Sequence, residues 1–117
     1  MFGGCSKLTT IPLLNASNVI DMSSMFYNCN NLAYLKFTNL GTQSGSTPVD
    51  LSYSSSLGDD TKVAGSRQAL IDTLITYSFD RKTAGYSALN VYLSTATKAL
   101  LTEDEIAQIT AKGFTIA

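Results

Sequence analysis

The phrase MFGGCSKLTTI at the start of the sequence returns as MFYNCNNLAYL from Met25. Aligning Met1 with Met25 pairs Phe2 with Phe26, Cys5 with Cys29, Leu8 with Leu32, Ile11 with Leu35, Leu13 with Phe37 and Asn15 with Asn39, a period of 24 residues. A unit this short has room for one strand and one return segment. It cannot bury its apolar side alone and needs a neighbour above and below.

The spacing L-x-x-L/I-x-L/F at this period predicts an α/β leucine-rich-repeat solenoid, with one short parallel strand per repeat and helices on the opposite side. The 117 residues make one domain: two 24-residue repeats over residues 1–40, then irregular C-terminal repeats and a cap over 41–117. The segment before Phe2 that would match Asn18–Tyr27, expected to be helix-like, is missing. The chain therefore reads as the C-terminal piece of a longer array, with Met1 an internal residue. The alternative is a true start whose apolar end is covered by a neighbouring subunit.

Past Phe37 the spacing loosens. GTQSGST (41–47) and SSSLGDD (54–60) read as polar loops around a short strand in PVDLS. RQALIDTLITYSF places Leu70, Ile71, Leu74, Ile75 and Phe79 on one helical side. ALNVYLS alternates Leu89, Val91 and Leu93 inward with Asn90 and Tyr92 outward. Thr102 and Glu105 form a capping box for a helix over residues 103–112, ended by Gly113, and FTIA adds a last strand. The connections are too long for hairpins, so parallel pairing is expected.

The segments MFGGCSKLTTIP and DMSSMFYNCNNLAYL resemble BspA-type leucine-rich repeats, in which M-F-x-x-C-x-x-L recurs in bacterial surface proteins and in phage-encoded proteins. The K-G-aromatic-T phrase near the end resembles the closing unit of such proteins. The resemblance implies a non-enzymatic adhesion or recognition module at the cell surface or outside the cell. Its alternative is a structural virion component: a phage tail, fibre or capsid-decorating domain.

Chemistry is constrained by what the chain lacks. With no histidine, His-activated nucleophiles, histidine bases and most zinc sites are excluded. The acids are scattered. Glu103, Asp104 and Glu105 suit the first turn of a helix, and Asp59 with Asp60 suits a solvated turn better than a calcium loop. No glycine pattern fits a phosphate cradle, so no cofactor is expected. A net charge of −1 argues against nucleic acid, and no apolar run is long enough for a membrane span. Asn18, Asn28, Asn30, Asn31 and Asn39 read as turn and cap residues. Cys5 and Cys29, one repeat apart, read as stacked buried thiols, with a disulfide as the alternative.

What remains is a surface. If Leu32, Leu35 and Phe37 point inward, Tyr34 and Lys36 face out beside Asp50 of one strand and Asn90 and Tyr92 of another. These five residues are the expected ligand-binding face, because tyrosine among small polar groups is common on recognition surfaces. The partners expected are a protein or glycan, with neighbouring subunits or preceding repeats covering the Met1 end.

Overall fold

A computed structural model of the chain describes residues 7–21 and 25–117. Strand β1 (Thr10–Asn15) lies parallel to β2 (Tyr34–Thr38), and these two make the first sheet. The second sheet contains β3 (Val49–Asp50), β4 (Leu89–Tyr92) and β5 (Phe114–Ile116), in that order and all parallel. Between β3 and β4 runs helix α1 (Ser66–Ile71), continued by a π-helical turn at Asp72–Thr76. Helices α2 (Thr95–Lys98) and α3 (Glu103–Ala111) connect β4 to β5.

The expected solenoid is not what forms. A stacked array would run one ladder through every unit; here the ladder stops at β2, and the remaining strands build a separate sheet. The radius of gyration is 12.8 Å, close to the ~13 Å of a compact globule of this length. The reason lies at the edge of β2. Backbone groups of successive strand residues point to alternate sides within the sheet, so those that do not bond toward β1 face the opposite edge. At one end of that edge the Ala33 carbonyl accepts the Gly58 N–H (2.9 Å), and at the other the Asn39 N–H donates to the Tyr77 carbonyl (2.8 Å).

Thr73, fully buried, fills the gap between those two contacts. Its hydroxyl accepts the Phe37 N–H at 2.9 Å and sits 3.1 Å from the Leu35 carbonyl and 2.9 Å from the Ala69 carbonyl. A helix thus occupies the place of the next strand, and one side chain satisfies the edge. The hydroxyl's approach to the carbonyl four residues back coincides with the widening from α to π geometry, where the Tyr77 N–H donates to Asp72 instead.

The repeat register also fails partway along β1. Thr10↔Tyr34 and Ile11↔Leu35 keep the 24-residue offset, but a bulge follows, and the next partners are Leu14↔Phe37 and Asn15↔Thr38. Pro12 has no N–H to give the ladder, so slippage there is cheap. Leu13, expected inward, is consequently 63% exposed, and Leu14 packs on the core instead. Likewise, the described residues of 18–27 form turns and irregular chain, not the helix-like segment expected. The expectations for Phe2 and Cys5 lie outside the described residues. Cys29 is buried.

The C-terminal half follows its local patterns closely. On β4, Leu89 and Val91 are buried and Asn90 and Tyr92 exposed. The capping box of α3 is present in both directions, and Gly113 ends the helix at φ +95°. Glu105 also pairs with Arg67 of α1, tying the two helices together. The Thr102 N–H, followed by the Arg67 guanidinium, holds the Glu105 carboxyl below the usual carboxylate range.

Two outcomes follow. Thr73→Val keeps the shape but leaves the Phe37 N–H buried without a partner, and should cost about 1–3 kcal/mol in urea unfolding, with Thr73→Ser close to the parent. For Glu105, a lowered folded pKa means that its stabilisation is complete above the ordinary carboxylate range and is lost as pH falls through the folded value. Glu105→Gln should therefore destabilise by about 1 kcal/mol at neutral pH, and the difference should shrink toward acid when both proteins are melted across pH.

Candidate functional site

The five residues expected to share one face divide between the two sheets. Tyr34 and Lys36 belong to β2, and both are partly covered. The Lys36 ammonium lies 3.6 Å from the Asp72 carboxylate and 5.2 Å from the centre of the Tyr77 ring, so the residue serves to fasten the π-helical turn onto β2. Tyr34 sits against Gly65, just before α1, where an added Cβ would lie 3.5 Å from the ring. Neither belongs to an open surface shared with the second sheet.

Asp50, Asn90 and Tyr92 do come together. Asp50 is the register partner of Tyr92, and Asn90 the partner of Thr115, so paired side chains project on the same side. Val49, Leu89, Val91 and Phe114 fill the other side as core. Asn90, Tyr92 and Thr115 are exposed and Asp50 is half-buried, which leaves a polar face with one tyrosine at its centre. Asp50 also shapes the backbone locally, because its Oδ1 accepts the Ser52 N–H and hydroxyl and so turns the chain out of β3.

Beyond Thr115 the face runs into a cavity of about 210 Å3. Lys82, Tyr86, Thr110, Phe114 and Thr115 line it. Behind its wall is Arg81, the largest fully buried side chain among the described residues. Its Nη1 donates to the carbonyls of Gly41 (2.7 Å) and Gln43 (2.8 Å). Nη2 and Nε donate to the Ser87 carbonyl at 2.9 and 3.2 Å, and the guanidinium lies 5.4 Å from the centre of the Tyr86 ring. Among the described residues no carboxylate pairs with it. Burial lowers its pKa, and Tyr86 acts against this. An arginine stays protonated regardless, because its starting value is so high.

This cage explains two glycines. At Gly41, φ is +82° and an added Cβ would meet the Phe114 ring at 2.8 Å; at Gly113 it would fall 2.7 Å from the Arg81 Cβ. Arg81 was not among the expected site residues. The only sequence signal for the cage is a lone Arg within FDRKTAG, which looks like any solvated loop.

Other candidates resolve into structural roles. Asp59 accepts the hydroxyl and N–H of Thr61, which lower its pKa, and Asp60 accepts the Arg67 N–H. Asn28 and Asn39 adopt φ near +60°, as turn residues do. Among the described residues no group of three or more Cys, Asp or Glu is placed to hold a metal ion. No helix there is long and apolar enough to cross a membrane. Comparison with family models, with curated proteins and with solved structures yields no match.

Replacing Arg81 with Met removes the charge but leaves the carbonyls of Gly41, Gln43 and Ser87 without their donor. A loss of at least about 3 kcal/mol in denaturant unfolding is expected, and Arg81→Lys should recover only part of it, since an ammonium cannot span all three.

Proposed function

We propose that this chain is a non-enzymatic recognition module that binds a protein or glycan through the open face of the β3–β4–β5 sheet, outside the cell or at its surface. The observation that carries this reading is the exposed Tyr92, flanked by Asp50, Asn90 and Thr115 on strands whose other side is core. A rigid scaffold holds these side chains in register. Amphipathic tyrosine among small hydrogen-bonding groups gives contact area at little cost in side-chain entropy. The chain has no histidine, and many of its acids are engaged in turns, caps and ion pairs, which supports binding over turnover. The local resemblance of residues 1–40 to repeats of surface proteins points the same way. Tyr34 and Lys36 are not part of the proposed face.

Binding measured against a panel of extracellular-matrix proteins and immobilised glycans tests the reading. For any ligand found, Tyr92→Ala should weaken affinity about tenfold or more and Asn90→Ala by several-fold, with Lys36→Ala neutral. Undiminished binding by the Tyr92 variant would place recognition elsewhere on the molecule.

A further inference from the structure

The cavity next to the sheet face has a charge character that the face lacks. Lys82 stands exposed at its rim, and Arg81 lies behind the Tyr86 wall with its guanidinium directed at backbone carbonyls rather than at an acid. The nearest acid in sequence, Asp80, accepts the N–H and hydroxyl of Thr83. Lys82 is the charged side chain of the lining, and field lines concentrate in a partly enclosed recess.

The shape narrows the ligand. About 210 Å3 falls below the roughly 300–1,000 Å3 of sites that enclose a whole drug-sized molecule, so one ring-sized group fits. The walls are mixed: the half-buried Tyr86 ring is flat and largely apolar, and Thr110 and Thr115 carry hydroxyls. Tyr86 is fixed, with the Phe79 ring stacked at 5.7 Å and the Arg81 guanidinium at 5.4 Å. A phosphate would want a nest of unused backbone N–H groups. Here the N–H groups of Lys82, Tyr86 and Gly113 are already bonded to Lys112, Arg81 and Thr110. A single lysine beside an aromatic wall and hydroxyls suits one carboxylate on a polyhydroxylated ring.

We infer that the cavity bounded by Lys82, Tyr86, Thr110, Phe114 and Thr115 binds the terminal sugar acid of an acidic glycan, its carboxylate on Lys82 and its ring against Tyr86. This rests on the recognition reading above and names the ligand class for the adjoining face. Asn90, the register partner of Thr115, is placed to meet the next sugar.

Titration of 15N-labelled protein with N-acetylneuraminic acid, glucuronic acid, N-acetylglucosamine and inorganic phosphate, followed by amide shifts, tests it. Expected are shifts at Lys82, Tyr86 and Thr115 with at least one of the two sugar acids, at least tenfold tighter binding than for the neutral sugar, and weakening by added salt. Lys82→Gln, an exposed change that leaves the fold intact, should weaken binding fivefold or more, and Thr115→Val should weaken it less. No shifts at the cavity, equal affinity for the neutral sugar, or an equal response to phosphate would overturn the assignment. Shifts confined to Asn90 and Tyr92 would also overturn it while leaving the sheet-face reading intact. Cavity shifts that persist in Tyr92→Ala would support the cavity independently of that reading.

Discussion

A strand edge must be either continued or satisfied, and the architecture turns on how β2 meets this demand. The buried Thr73 hydroxyl takes up the Phe37 N–H that a further strand would otherwise bond. Once that contact forms, no strand can add to β2 on that side. The chain is turned aside, α1 packs along the sheet, and β3 is free to begin a second sheet with β4. The position of Asp50, Asn90 and Tyr92 on one face follows from this, as does the separation of Tyr34 and Lys36 from them.

The same device recurs through the interior. Ser54 donates to the carbonyls of Asn30 and Leu32, Thr97 to Leu57, Ser78 to Leu74, Ser66 to Val63, and Arg81 to several loop carbonyls at once. Every buried polar side chain among the described residues bonds backbone in this manner, and none of the buried side-chain nitrogens or oxygens there is left alone. Short strands leave many main-chain groups outside regular ladders, and a burial cost falls on each unless something bonds it. Part of the chain's serine and threonine is thus an interior requirement of this fold.

That also marks how far the sequence is legible. Elements set by local rules read well: the alternation of Leu89–Leu93, the Thr102–Glu105 box and the stop at Gly113 depend only on neighbours along the chain. The fold class did not. A 24-residue echo between two phrases fixes the pairing of Ile11 with Leu35, but the register slips just past Pro12, and nothing in the string marks Thr73 as a terminator rather than an ordinary helix residue. The open face was legible for β3 and β4, whose alternation and pairing follow from short local patterns. It was not legible for β2, because Lys36 finds Asp72 and Tyr77 through a tertiary contact. The Arg81 cage joins segments about 40 residues apart and left no pattern to read.

Arg81 draws together the loop after β2, the turn before β4 and the junction that leads into β5, its own N–H bonding the carbonyl of Lys112. Those pieces emerge from the ribosome at widely separated times. Until Lys112 and Gly113 have left the exit tunnel, the Arg81 N–H has only the Phe79 carbonyl to bond, and the side chain lacks the segment that packs against it. The domain's closure is thereby tied to the synthesis of that late junction, and a chain interrupted before it would present an open, hydrated seam for the quality-control machinery to find.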